Sequence, residues 1–220
     1  MARAVVTPRF RAALFDVDGT LLDSTEFVLA AVEHTLRTHG RTPPPRAELA
    51  AIMGPPLEEC YRRLAPDLDL PSLAVTHRAF QRDKLHLAIP FPRAADTLAK
   101  LRDAGVRLAA VTTRSRVSSV ATLERNGLAS FLEVIISAED APRTKPAPDP
   151  IFAALNRLGI APSQAVMIGD TVVDIEAGRN AGTATIGALY GFHGEEIAAS
   201  QPDYLVRELA EVIPIIVTSP

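Results

Sequence analysis

The sequence predicts an α/β protein: a doubly wound parallel sheet with a helical cap domain inserted after the first strand. Three observations predict it. The apolar run Arg11–Phe15 leads straight into the turn Asp16-Val17-Asp18-Gly19, which reads as a buried strand meeting a tight loop. From residue 94 onward, short apolar runs alternate with longer amphipathic segments, the rhythm of a parallel sheet covered by helices on both faces. Between these regions, residues 46–87 carry only helical patterns, broken by Gly54-Pro55-Pro56 and Pro66.

Taken in order, Asp23 with Glu26 three residues later forms a capping-box start for a helix over Phe27–Thr38. Gly40-Arg41-Thr42-Pro43-Pro44-Pro45 stops that helix. The character changes at Ile89-Pro90-Phe91-Pro92. Beyond it the pattern predicts helix Ala94–Ala104, strand Arg107–Val111, helix Val117–Asn126 and strand Glu133–Ser137. Helix Pro150–Leu158, strand Ala165–Ile168, helix Val173–Ala181 and strand Ala184–Ile186 follow. A short strand Asp203–Val206 and a closing helix from Glu208 complete the chain. The expected division is a core of residues 1–22 and 90–220 with a cap of residues 23–89, a length that suits a lid.

Composition narrows the function. The 220 residues can bury a sizeable core, and 47% hydrophobic with 22% charged residues is ordinary globular composition. A net charge of −3, no basic tract and no tryptophan leave neither the electrostatic nor the stacking footprint of a nucleic-acid partner. One cysteine, Cys60, precludes an intrachain disulfide. The segment MARAVVTPRF lacks the apolar region of a signal peptide, and VIPIIV is too short to span a membrane. The expectation is a soluble cytoplasmic protein, monomer or homodimer, acting on a small molecule.

Ligands of open parallel sheets bind at the carboxyl ends of the strands, and the polar residues of interest cluster there. Asp16 and Asp18 follow the first strand, Thr112 and Thr113 the second, and Asp170 the fourth, with Asp174 one helical turn on. Lys145 stands in the loop Arg143-Thr144-Lys145-Pro146-Ala147-Pro148-Asp149. Taken singly, each has a plain reading. Asp-Val-Asp-Gly makes a turn, the threonines and Asp174 cap helices, and Lys145 is a solvated loop charge. Taken together, four carboxylates on one rim imply a counter-charge. Mg²⁺ suits that need, because it takes a few carboxylates plus waters and phosphate oxygens.

LFDVDGTLLDS, the strand ending VTT, the TKPAPDP loop and MIGDTVVDIEAG resemble the four motifs of the haloacid dehalogenase (HAD) superfamily. The resemblance covers nearly the whole chain and places the helical insert where the subgroup with an α-helical cap carries it. It implies Mg²⁺-dependent phosphoryl transfer through an aspartyl-phosphate. On the matching positions, Asp16 would be the nucleophile and Asp18 the general acid and then base, its backbone carbonyl joining the metal shell. Asp16 and Asp170 would bind Mg²⁺, with Asp174 ligating or holding a metal-bound water. Thr112, the amide of Thr113 and Lys145 would hold and neutralise the phosphoryl group.

Family members often read Thr-Asn-Lys where this chain has Thr112-Thr113-Arg114, so Arg114 becomes a candidate for phosphate or for a substrate anion. The presence of Asp18 points to phosphate esters or anhydrides instead of C–Cl or C–P bonds. Gly54, in Gly54-Pro55-Pro56-Leu57-Glu58-Glu59, occupies the position of the substrate-specificity loop and lets it approach the site; a plain helix–helix turn is the alternative. Leu57 and Glu58 stand where sugar-phosphate mutases tend to carry an arginine, which disfavours a mutase. The resemblance is to phosphoglycolate phosphatases and other small-substrate phosphatases, and the loop is also similar to that of inorganic pyrophosphatases. A phospho-accepting signalling domain is disfavoured, because its acidic pair and phosphorylated aspartate lie on different strands and no helical insert follows the first. The five histidines, His77 among them, show no ligand spacing and read as surface or packing residues.

Overall fold

The computed structural model describes residues 8–217. Residues 1–7, which hold most of the segment read for a signal peptide, and residues 218–220 lie outside it. Strand β1 (Ala12–Phe15) is followed by β2 (Leu22–Asp23) and four helices, α1 (Thr25–Thr38), α2 (Arg46–Ile52), α3 (Leu57–Leu64) and α4 (Leu70–Asp83). The chain returns through β3 (Ile89–Pro90) to α5 (Ala94–Asp103), β4 (Arg107–Val111), α6 (Arg116–Arg125) and β5 (Val134–Ile136). Then come α7 (Asp149–Leu158), β6 (Ala165–Gly169), α8 (Val172–Ala181), β7 (Ala184–Ala188), β8 (Tyr204–Val206) and α9 (Val212–Ile216).

Six strands form one parallel sheet in the order β5-β4-β1-β6-β7-β8. β1 is central, with Phe15 opposite Ala110 of β4 and Ile168 of β6. The connections run outward from β1 through β4 to β5, then return to β6 on its other side. The order therefore switches beside β1, where an open sheet leaves a crevice at its carboxyl edge. Side chains alternate across β1. Ala13 and Phe15 join one cluster with Leu98, Leu101 and Ile168. Ala12 and Leu14 join another on the opposite face with Ile151, Leu155 and Met167. Both faces are covered, as the unbroken apolar strands require.

Helices α1–α4 bury a third cluster of their own, with Leu29, Leu36, Leu49, Tyr61 and Leu73 at its centre. β2 and β3 pair antiparallel, Leu22 opposite Pro90 and Asp23 opposite Ile89, at the two ends of this helical segment.

The structure departs from the sequence reading at several element ends. Two-residue strands carry no alternation, so β2 and β3 left no pattern to read. The expected capping box at Asp23 and Glu26 does not form. Helix α1 starts at Thr25, whose N–H donates to Asp23 Oδ1 at 3.2 Å. Glu26 instead accepts from Arg46 at 3.1 Å. The closing helix begins at Val212, after a short 3₁₀ turn at Leu209–Glu211. No helix among the described residues is long and apolar enough to cross a membrane.

Candidate active site

The carboxyl ends of β1, β4 and β6 bring together residues far apart in the chain. β1 delivers Asp16, which is 7% exposed. The loop after it turns at Gly19 with φ +78°, and a Cβ there would fall 2.1 Å from Asp170 Oδ2. Only a residue without a side chain lets this loop lie against Asp170. β6 ends at Gly169 and delivers Asp170, whose Oδ1 accepts from Thr20 Oγ1 at 3.1 Å and Oδ2 from the Phe192 N–H at 2.7 Å. Thr171 then caps α8, its N–H and hydroxyl both donating to Asp174 Oδ2 at 3.1 and 2.7 Å. Asp174 therefore does two things at once, because its Oδ1 accepts from Lys145.

Lys145 is the hub. Its Nζ, on a side chain 2% exposed, donates to Asp16 Oδ1 at 2.7 Å, Asp174 Oδ1 at 2.6 Å and the Val111 carbonyl at 2.8 Å. Three donors meet three acceptors, which satisfies the ammonium completely. The reading of Lys145 as a solvated loop charge is thereby excluded.

One ammonium does not balance three buried carboxylates. Burial pushes Asp16 up from 3.8 to about 7 despite Lys145, and Asp174 and Asp18 push the same way. Burial also raises Asp170 well above its ordinary value, with Asp174 and Asp16 adding to it. Lys145 is pulled down by burial, but Asp16 and Asp174 outweigh that and hold it charged. The cluster is short of positive charge. Asp16, Asp170 and Asp174 each offer an oxygen, all within 4.8 Å of one another. Hard carboxylate donors lacking positive charge fit a divalent cation such as Mg²⁺.

A cavity of about 300 Å³ opens between this rim and the helices, and Asp16, Asp18, Thr113, Arg114 and Gly54 line it. Thr112, Lys145, Asp170 and Asp174 are buried and do not. Asp16 Oδ2 accepts no hydrogen bond from the described residues, so one oxygen of this carboxylate is anchored and the other is open. Asp18 Oδ1 accepts from Arg114 Nη1 at 3.0 Å. Arg114 also donates to Ser118 Oγ at 2.5 Å and lies 4.7 Å from the centre of the Phe27 ring. Its Nε is buried without a partner among the described residues. Thr112 Oγ1 accepts from the Arg114 N–H at 3.1 Å. Thr113 spends its hydroxyl on the Gly54 carbonyl, also at 3.1 Å, tying the helical segment to the rim. Gly54 has φ +116°, and a Cβ on it would come within 3.0 Å of Thr171 Oγ1.

His77, read as a surface or packing residue, proves to be a buried one that also reaches the cavity. It is 3% exposed, lines the cavity and bonds through Nδ1 to Tyr61 Oη at 2.9 Å. Only the packing of α3 against α4 reveals this, and no spacing in the sequence encodes it. Arg78 also lines the cavity, where it donates to Glu58 Oε1 at 2.7 Å.

The switch point of a parallel sheet thus holds a carboxylate cluster on a lysine, beside a cavity lined by the rim and the helices. Residues 13–188 match the model of the haloacid dehalogenase-like hydrolases, and the chain belongs to that family. It is 34% identical over 209 residues to the pyrophosphatase PpaX of Bacillus velezensis, covering 94% of this chain and 96% of that one. A haloacid dehalogenase-like hydrolase of Streptococcus pneumoniae superposes with a TM-score of 0.84 at 28% identity, covering 94% of this chain and 98% of the other. A predicted phosphoglycolate phosphatase of Haemophilus somnus shares the fold, with a TM-score of 0.88 at 23% identity and the same coverage of 94% and 98%. The chain is a phosphate-hydrolysing enzyme of this family.

Proposed function

We propose that the protein hydrolyses a small-molecule phosphate monoester through an aspartyl-phosphate on Asp16, in the manner of a phosphoglycolate phosphatase. The observation that carries this reading is Asp16 itself, one oxygen fixed by Lys145 at 2.7 Å and the other open to the cavity. That free oxygen attacks phosphorus, and the bond to the leaving oxygen breaks as the new O–P bond forms. Asp18, aimed by Arg114, gives its proton to the leaving oxygen, then takes one from the water that cleaves the aspartyl-phosphate. The backbone amide of Thr113 and the hydroxyl of Thr112 hold the non-bridging oxygens, and Lys145 keeps the nucleophile in line.

Asp16 and Asp170 would hold Mg²⁺, with Asp174 and the Asp18 carbonyl completing the protein's share. Bound there, the cation would supply the missing positive charge to the carboxylates and to the phosphoryl group.

Residues 23–89 serve as the cap. Its loop rests on the rim through Thr113 to the Gly54 carbonyl and through His193 Nε2, 3.2 Å from the Met53 carbonyl. Closure of this kind excludes bulk water and completes the pocket. The setting that suits a small metabolite as substrate is the cytoplasm.

A second reading, inorganic pyrophosphatase, is favoured by the 34% identity to PpaX over nearly the full length of both chains. Hydrolysis of p-nitrophenyl phosphate with Mg²⁺ and with EDTA tests the chemistry; Mg²⁺-dependent release is expected, and release unaffected by EDTA contradicts it. Phosphoglycolate and pyrophosphate assayed side by side then separate the two readings.

A further inference from the structure

His77 is a buried titratable group with no part in the scheme above. It sits on α4 with Arg78 and Gln81, and all three line the cavity. Tyr61 Oη and His77 Nδ1 share a hydrogen bond at 2.9 Å. Thr35, near the phenol, sends its own proton to the Ala31 carbonyl at 2.8 Å. In the tautomer in which the phenol donates to Nδ1, the imidazole carries its own proton on Nε2. With Nδ1 engaged, Nε2 is the nitrogen left to face the cavity.

We propose that His77 is a specificity-determining residue whose Nε2–H donates a hydrogen bond to an anionic oxygen on the leaving group, a carboxylate or a phosphate. The inference rests on the phosphatase reading and names the substrate class for it. Val28, Val32, Met53 and Leu57, from the helical cluster, give the cavity apolar lining. His77, Arg78 and Arg114 gather N–H groups, two of them on cations, elsewhere on its lining. The guanidiniums are already held, Arg78 by Glu58 at 2.7 Å and Arg114 by Asp18 at 3.0 Å, whereas His77 Nε2 has no partner among the described residues. Burial holds the ring neutral, pushing it down to about 3, and Arg114 and Arg78 act in the same direction. The tautomer set by Tyr61 thus persists at neutral pH. A substrate without the matching acceptor leaves this N–H unpaired in a desolvated wall, which is how a site rejects an analogue of the same shape.

The test compares kcat/KM, with Mg²⁺ present, for three substrates. 2-Phosphoglycolate carries a carboxylate on its leaving group, pyrophosphate a phosphate, and ethyl phosphate neither. The first two also distinguish the source of the anionic oxygen. The wild type is expected to prefer one of the anionic pair over ethyl phosphate. His77→Leu should cut that preference about 10- to 100-fold. His77→Gln, whose amide nitrogen can reach the place of Nε2, should restore most of it. Tyr61→Phe keeps both rings but frees the tautomer, so it should fall between them, and it carries the test alone if leucine at 77 prevents folding.

A preference unmoved in His77→Leu and Tyr61→Phe, or lost as fully in His77→Gln as in His77→Leu, overturns the inference and leaves the phosphatase reading intact. A wild type that hydrolyses none of the three sinks both.

Discussion

Adding Mg²⁺ to the metal-free enzyme should raise its stability far more at pH 8 than at pH 5. Asp16 moves from 3.8 to about 7 on folding. Between those values the native protein binds more protons than the unfolded chain. The stability that Asp16 contributes is therefore whole below pH 3.8 and is lost as pH rises through about 7. The full loss is about 4 kcal/mol, an order-of-magnitude figure. Asp170 is displaced in the same direction. At pH 8 Asp16 is ionised and crowded by its neighbours, and a bound cation relieves it; at pH 5 the cation must first displace its proton. For a chain of this size each kcal/mol moves the melting temperature by roughly 2–4 °C, so the Mg²⁺-induced shift should differ by several degrees between the two pH values. Thermal melts from pH 5 to 8, with Mg²⁺ or with EDTA, measure it. Subtracting the two series cancels groups remote from the cation. Asp16→Asn should flatten the difference. An equal or larger Mg²⁺ effect at pH 5 would refute the reasoning.

Asp16→Asn should also lower kcat on the order of 10⁴-fold or more while the fold persists by circular dichroism; near-normal turnover would remove Asp16 as nucleophile. His77 moves the opposite way to Asp16, from 6.5 to about 3, so the unfolded chain takes up the proton first and stability drops as pH falls below 6.5. Denaturant titrations in EDTA should show His77→Gln losing about 2 kcal/mol less than wild type between pH 8 and pH 5; parallel profiles would contradict the buried neutral imidazole. Gly54→Ala must hold a Cβ at φ +116° within 3.0 Å of Thr171 Oγ1, which should cost about 1–3 kcal/mol and raise KM more than it lowers kcat. An unchanged KM would show that the loop does not set access to the pocket.

The sheet was legible because its strands are apolar on both faces and end in chemistry. Arg107–Val111 is observed with the bounds its pattern gives, and Asp16, Asp170, Asp174 and Lys145 converge as their placement on strand ends and loops implies. Local signals misled where a distant partner won. Glu26 looked like half of a capping box, but Arg46 takes it from the next helix. Thr113 supplies its hydroxyl to Gly54 across the cleft, a bond between residues 59 apart in sequence. His77 sits within an ordinary amphipathic helix, and its environment comes from Tyr61 on another. Packing between helices has no one-dimensional signature, so the half of the pocket they supply had to be seen.

The central claim is that phosphate passes through Asp16. Asp18→Asn, incubated with Mg²⁺ and a radiolabelled phosphate monoester and then acid-quenched, measures it by mapping the label onto a proteolytic fragment. Removing the base that activates water should let the acyl phosphate accumulate, with the label on the peptide containing Asp16 and absent from the Asp16→Asn, Asp18→Asn double variant. Label on another residue, or undiminished label in the double variant, would contradict the account.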